Sequence, residues 1–355
     1  MNQAFYLLGS SLGIKMIDIA AVVICKNEER YIKRCLNSLV NRFSRVIVID
    51  TGSTDRTLEI VKRSFYNYGV ELFEYSWKGS FSLIRNYALS IITSEFIFFI
   101  DGDEEFLYNH QGWASFEKMI ESCCYDVFSV KILSSSDGRW GNVPRIIRNK
   151  SGCYYYGNVH EMILNNDLEV NHFPTNLELK HYGYQPNLLW GNGKLYRNIS
   201  LVRPHVISGP YKDRWLYFYI RDSILNGCLS KRIFKMSVDF IDKLSPENDH
   251  FLDNRINIIN LIMEMAIKKE QYNVVAFFYL RYRFILAHNP FMFYLYFLMI
   301  LERPRTNGKL YLDIACKESF KSDFEWLNKN NIYVYTLSND KLYIKSLEKI
   351  VETLL

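Results

Sequence analysis

The stretch FIFFIDGDEEF, residues 96–106, sets five apolar residues directly before four acids, Asp101, Asp103, Glu104 and Glu105. The run Phe96-Ile97-Phe98-Phe99-Ile100 is apolar at every position, the pattern of a strand buried on both faces. The acids therefore gather where that strand leaves its sheet. Like charges this close repel, and a turn gains nothing structurally from them. A hard divalent cation such as Mg²⁺ or Mn²⁺, which takes carboxylate oxygens, would relieve the repulsion. A solvated acidic turn is the competing reading of an isolated D-x-D, so the surrounding elements must decide.

Those elements alternate. IDIAAVVIC (17–25) reads as a buried strand, and NEERYIKRCLNSLV (27–40) carries Ile32, Leu36 and Leu39 at helical spacing. RVIVID (45–50) is the next strand and ends in the turn TGSTD; Asp55 then opens a helix with Leu58, Ile60 and Val61. VELFEYS (70–76), FSLIRNYALSII (81–92) and FIFFID (96–101) continue as strand, helix and strand. Strands alternating with short helices predict a largely parallel, doubly wound sheet with right-handed crossovers. Ligands bind such sheets outside the carboxyl ends of the strands. Asn27, Asp50 and Asp101 all fall at carboxyl ends, so polar groups collect on one rim.

Beyond residue 125 the pattern changes. DVFSVKIL (126–133), PRIIRN (144–149) and NLELKHYGY (176–184) read as strands in a more antiparallel setting. After about 205 strands nearly stop, and four segments from WLYFYIRDSILNG to VVAFFYLRYRFILAH carry apolar stripes of 3.6 period. SPENDH (245–250) and Asn289-Pro290 punctuate them. Paired helices of this length resemble tetratricopeptide-type stacking, without a clean consensus repeat. The expected division is an arm over 1–16, an α/β domain over 17–205 and a helical domain over 206–355.

Composition narrows the classes. The 355 residues are 49% hydrophobic and 16% aromatic, enough for packed cores rather than disorder. A net charge of +5, from 43 basic and 38 acidic residues, tolerates an anionic ligand but gives no nucleic-acid footprint. Seven cysteines without C-x-x-C spacing read as reduced thiols of a cytoplasmic protein. The N-terminus lacks the basic n-region of a signal peptide. The most apolar run, Phe291 to Leu301, is eleven residues, short of the ~20 a spanning helix needs. The chain is expected to be soluble, with no transmembrane segment.

VVICKNEERYIKRCLNSL, VIVIDTGSTDRT, FSLIRNYAL and FIFFIDGDEEF occur in that order, each in its strand–turn–helix setting. As an ordered set they resemble the family-two inverting glycosyltransferases with a GT-A fold. The likeness covers roughly residues 17 to 190. PRIIRN, YYYGNVHEMI and LELKHYGY resemble a subgroup that includes lipopolysaccharide-core glucosyltransferases and the peptide S-glycosyltransferases that modify glycocin bacteriocins. The helical tail and the wording IKRCLNSL look closest to the glycocin enzymes. The implied fold is a Rossmann-like mixed α/β sheet followed by an all-helical, tetratricopeptide-like domain.

The resemblance also implies roles. Asn27, Asp50, Arg85 and Asp101 would bind the nucleotide-sugar donor, a UDP-hexose. Asp50 would accept from the uracil N3–H, where its plain alternative is a turn former. Arg85 would meet the base or diphosphate, where its alternative is an ion-paired surface arginine. Asp101 would hold the ribose or a metal-bound water. Asp103 would ligate Mg²⁺ or Mn²⁺ and His181 would be a further ligand, or a structural histidine. Inverting transfer needs a base for the acceptor's proton. Glu161 takes that role, His160 is the alternative, and a structural ion pair is the competing account of Glu161. Thr51 stands where many relatives have a second acid. The acceptor is a peptide side chain or, alternatively, a glycan, and the tail would bind it or form a homodimer. A non-catalytic scaffold with a degenerate front domain is the rival class; the intact D-G-D, Asp50 and Arg85 argue against it.

Overall fold

The computed structural model describes residues 17–122, 124–134, 140–183, 193–243 and, with breaks at 270, 272–273, 276 and 279–280, residues 252–282. The expected arm 1–16, the break at 245–250 and the apolar run 291–301 lie outside the described residues. The first compact unit alternates strand and helix: β1 (Ile19–Cys25), α1 (Ile32–Leu39), β2 (Arg45–Asp50), α2 (Thr57–Phe65), β3 (Glu71–Glu74), α3 (Phe81–Ile91) and β4 (Phe96–Asp101). Then follow β5 (Glu104–Leu107), α4 (His110–Ser122), β6 (Val127–Ser134), β7 (Trp140–Arg148), β8 (Tyr154–Tyr156), β9 (Met162–Asn165), β10 (Leu168–Glu169) and β11 (Phe173–His181).

Among the described residues the main sheet has eight strands in the order β3-β2-β1-β4-β7-β6-β11-β5. The half from β3 to β4 is parallel, as the alternation predicts. The rest is mixed: β7 is antiparallel to both β4 and β6, β11 runs parallel to β6, and β5 closes the edge antiparallel to β11. Both faces of the parallel half are covered. Ile19, Ala21 and Val23 of β1 join Phe96, Phe98 and Ile100 of β4 in one core, while Ala20, Val22, Ile97 and Phe99 enter the other. This is the two-residue side-chain alternation of a strand with apolar layers on both sides. Truncating Phe98, fully buried, to alanine should cost ~3–5 kcal/mol.

The helices pack by spacing. α1 buries Ile32, Cys35, Leu36 and Leu39, one stripe at i, i+3, i+4 and i+7. α3 starts at an extended Ser80, whose side chain accepts from the Leu83 N–H. Asn86 on α3 forms a reciprocal amide clamp with the main chain of Tyr155, at 2.8 and 2.9 Å. That clamp sets α3 against a small antiparallel sheet, β10-β9-β8.

The chain divides into two units between Val202 and Arg203, inside α5 (Lys194–Ile207) and a few residues before the expected 205 boundary. In the second unit α6 (Lys212–Leu225), α7 (Lys231–Lys243) and α8 (Leu252–Lys268) bury Ile220, Phe234, Phe240, Ile258 and Ile262 against one another. No helix among the described residues is long and apolar enough to cross a membrane.

Candidate functional site

Parallel pairing brings the rim together. Cys25 pairs with Asp50 and Ile24 with Asp101, so β1, β2 and β4 end level and their loops emerge side by side. The loops after β1 and β2 are stitched reciprocally. Asn27, at φ 56°, accepts the Thr54 N–H at 2.7 Å and donates its own N–H to Ser53 Oγ at 2.8 Å. The Glu28 N–H donates to Thr57 Oγ1 at 2.8 Å. Asn27, expected on the donor side, thus ties two rim loops together.

Asp50 is 1% exposed. Its Oδ2 accepts the N–H groups of Gly52 and Ser53, both at 2.9 Å, and its Oδ1 accepts the Ser53 hydroxyl. Gly52 stands at φ 101°, a turn only glycine enters without strain. The carboxylate expected to meet a uracil therefore shapes the TGSTD turn, the plain alternative for this residue. A base contact at Asp50 would have to share these bonds.

The D-G-D segment is where the acids meet their partners. Asp101 Oδ2 accepts from Arg145 Nη2 at 2.8 Å, and Oδ1 faces Arg85 Nη2 at 3.5 Å. Burial opposes the ionised form, but Arg145 and Arg85 outweigh it and hold the Asp101 carboxyl well below the usual carboxylate range. Glu104, 1% exposed, accepts from Arg145 Nη2 at 2.7 Å and from the Asp101 N–H at 2.8 Å. Burial pushes its carboxyl up to about 7, yet both oxygens face donors, so the ionised form suits the geometry. Glu105 accepts the Tyr182 hydroxyl. Glu104 and Glu105, read from sequence as a loop, belong to β5 and pair with His181 and Lys180.

Asp103 Oδ2 meets His181 Nε2 at 3.3 Å, and the Tyr182 N–H donates to the Asp103 carbonyl at 3.0 Å. Burial lowers the His181 pKa, but the bond to Asp103 outweighs it and holds the imidazole above its ordinary value. Gly183 completes the cradle: a Cβ there would lie 1.9 Å from Asp103 Oδ2 and 3.2 Å from His181 Cε1. Burial, with the charges of Asp103 and Asp101, pushes the Glu28 carboxyl up to about 8, while Lys194 pulls the other way.

These groups fit a Mg²⁺ or Mn²⁺ ion of a particular kind. Among the described residues no three His, Cys, Asp or Glu side chains are preassembled as a metal cage. Asp103 and His181 present two donor atoms 3.3 Å apart, close to the ~3 Å between adjacent ligands in an octahedral shell of ~2.1 Å bonds. Such ions are held by one or two protein groups plus substrate phosphates rather than by all-protein cages. Asp103 and His181 would hold the ion, and a diphosphate would supply the remaining oxygens.

Arg85, 9% exposed, lies against the contacting rings of Phe99 and Tyr155, at 5.4 and 5.3 Å from their centroids. Its Nε donates to Glu161 Oε1 at 3.1 Å. Glu161, the expected base, is thus half of an ion pair and must exchange that partner to take a proton. His160 precedes it at φ 54°, in the left-handed region. The structure therefore joins Arg85, Asp101 and Glu161 directly, and Asp103 with His181. Sequence reasoning missed Arg145, Glu104, Glu28 and Gly183. Arg145 carried a signal: a charged residue beside Ile146 and Ile147 in a strand needs a buried partner.

Residues 20–177 match the Glycosyl transferase family 2 profile. The SPbeta prophage-derived glycosyltransferase SunS of Bacillus subtilis is 32% identical over 252 residues, covering 69% of this chain and 59% of that protein. The lipopolysaccharide core biosynthesis glycosyltransferase LpsC of Rhizobium meliloti is 34% identical over 93 residues, covering 26% and 33%. A crystal structure of S. aureus TarS, residues 1–349, aligns at TM-score 0.37 and 18% identity, over 79% of this chain and 89% of that one. The chain spans about three-fifths of SunS and a third of LpsC. Asp50, Asp101 and Asp103 on the strand–loop rim and Arg85 on α3 all lie inside the matched segment, and residues 20–177 are a family 2 glycosyltransferase domain.

Proposed function

We propose that this chain is a metal-dependent inverting glycosyltransferase that moves a hexose from a UDP-linked donor to a peptide side chain, Cys, Ser or Thr. The observation that carries the reading is the pairing of Asp103 with His181 beside the arginine-held Asp101, on the rim of a family 2 domain. In this reading Asp101 and Arg85 bind the ribose and diphosphate side of the donor, and the Asp50 turn, with Asn27, shapes the pocket for the base. Asp103 and His181 hold Mg²⁺ or Mn²⁺, which when bound offsets charge on the departing nucleoside diphosphate. Glu161, released from Arg85 when donor phosphates take over the guanidinium, accepts the acceptor's proton, with His160 as the alternative base. A cysteine acceptor would need less help, since a thiol of pKa ~8.5 is already partly ionised.

The peptide acceptor rests on motif resemblance to the glycocin S-glycosyltransferases, and on the length of the SunS match. At 252 residues it is longer than the whole 20–177 domain. A glycan acceptor is the second reading, favoured by the LpsC match. Residues 206–355 are proposed as the acceptor-binding or dimerising domain. The five described cysteines are free thiols, which accords with a cytoplasmic enzyme.

The test is a screen of nucleotide-sugar donors with Mn²⁺, followed by mass spectrometry of cysteine-, serine- and threonine-containing peptides and of lipopolysaccharide-core oligosaccharides. A hexose increment on peptide supports the proposal, and one on oligosaccharide alone supports the second reading. Folded protein that neither binds UDP nor hydrolyses any donor refutes both.

A further inference from the structure

Asp101 and Asp103 stand two residues apart and are held in different ways. Asp103 meets His181 across 3.3 Å. Asp101 is part of a closed ring. Arg145 Nη2 carries two hydrogens and spends them on two acids, Asp101 Oδ2 at 2.8 Å and Glu104 Oε1 at 2.7 Å. Glu104 Oε2 accepts the Asp101 N–H at 2.8 Å, which closes the ring. Arg145 and Glu104 are 7% and 1% exposed, so neither offers a surface to a substrate. Burying an acid and a guanidinium together carries a desolvation penalty that an apolar pair would avoid. What the ring accomplishes is to fix both the main chain and the carboxylate of Asp101. The contact of Oδ1 with Arg85 is longer, 3.5 Å, and the Asp101 side chain keeps 37% of its exposure. Oδ1 is therefore the oxygen with room for a further partner.

We infer that Arg145, backed by Glu104, is a positioning residue: it locks Asp101 with Oδ1 toward the donor nucleotide and directs the divalent cation to Asp103. The inference rests on the glycosyltransferase reading. Its second half follows from charge. A cation placed at Asp101 would sit against two guanidinium groups, Arg85 and Arg145, and be repelled, whereas Asp103 has no arginine within ion-pair distance among the described residues. Lysine does not reproduce this, because an ammonium on a flexible stem lacks the fixed planar directions of the two Nη2 hydrogens.

The test is a double-mutant cycle between R145K and D101N, read as kcat for donor hydrolysis and as UDP affinity with Mn²⁺ by calorimetry. R145K keeps a cation against Glu104, so it is expected to fold. It should lower kcat about 10²-fold, the usual result of a misplacement on the order of 1 Å. D101N and the R145K/D101N pair should then be equally impaired, because Arg145 acts only through Asp101. Losses that simply multiply would overturn the inference. A ligand-free crystal structure of R145K gives an arm that needs no activity: Asp101 displaced from its wild-type rotamer supports the inference, and Asp101 unmoved refutes it. Should the wild type neither bind UDP nor turn over a donor, the functional reading falls and the crystallographic arm decides alone. Should R145K not fold, E104Q, which removes the buried charge and leaves Arg145, takes its place in both arms.

Discussion

Gly183→Ala is the most economical probe of the candidate cation site, because the atoms nearest its added Cβ belong to Asp103 and His181. Gly183 has no positive φ, so alanine fits its backbone. The added Cβ would lie 1.9 Å from Asp103 Oδ2, whereas real Cβ contacts essentially never fall below 3.0 Å. The Asp103 carboxylate must therefore retreat from the new Cβ by about 1 Å, a displacement that commonly costs ~10² in rate at an active site. The carboxylate is the far end of a flexible side chain, so the fold should absorb the change with little loss of melting temperature. The contrast is Gly102→Ala, whose Cβ would meet Cys25 Cβ at 2.9 Å and Glu28 Cγ at 3.0 Å, in the packing beneath the turn. That variant should melt lower. Calorimetry of Mn²⁺ binding in the presence of UDP, with melting curves for both variants, separates the two effects. A Gly183→Ala protein that binds Mn²⁺ and UDP like the wild type, and hydrolyses donor at the same rate, would refute Asp103 and His181 as the cation's ligands.

Asp103→Ala should abolish Mn²⁺-dependent transfer, with a loss of at least ~10²-fold, as when one electrostatic stabiliser is deleted; transfer kinetics against Mn²⁺ concentration check it. Asp50→Ala strips the acceptor from two backbone N–H groups and a hydroxyl, so the protein should lose on the order of 1–3 kcal/mol of stability and bind UDP more weakly, both measurable by calorimetry. Glu28→Gln should raise the melting temperature at pH 8 and leave it unchanged near pH 4. The folded-state pKa of about 8 stands above the ordinary 4.5, so wild-type stability falls as pH rises between those values and the amide removes the dependence. A chain ending after α5 should keep donor hydrolysis while losing transfer to its acceptor; transfer at full rate would remove the tail as the recognition element.

Sequence made the parallel half of the sheet readable because its signals are local. RVIVID and FIFFID are unbroken apolar runs, and the strands observed, Arg45–Asp50 and Phe96–Asp101, coincide with them. What escaped depended on distant partners. Glu104 looks like a solvated acid until Arg145, 41 residues later, is folded against it. α4 is not read from the sequence; Gly112 stands on its buried stripe with Phe116 and Ile120, where a Cβ would press 2.9 Å from the Asn176 carbonyl on β11. β8, β9 and β10 are two to four residues long, too short for any period to register. In the site, residue type and strand-end position were legible at Asn27, Asp50, Asp101 and Asp103. The partner of each was not: Asp50 faces its own turn, and Glu161 faces Arg85.

The crowding of acids after β4 has a more divided resolution than a single cation. Asp101 and Glu104 share Arg145, Glu105 accepts from Tyr182, and among the described residues Asp103 forms its ion pair with His181. The arginines therefore neutralise the acids nearest the core, where an unpaired charge would be most costly. They leave residual negative charge at Asp103, and that charge adds to burial in pushing up the carboxyl of the nearby rim acid Glu28. The part of that shift due to neighbouring charge is one a cation would offset, so Mn²⁺ binding at Asp103 should be linked to partial proton release from Glu28. The same linkage makes the cation bind more tightly as pH rises toward 8, the direction in which the empty site becomes less stable. Repulsion within the site and affinity for a charged ligand thus have one source, the acid of the D-G-D pair that meets no arginine among the described residues.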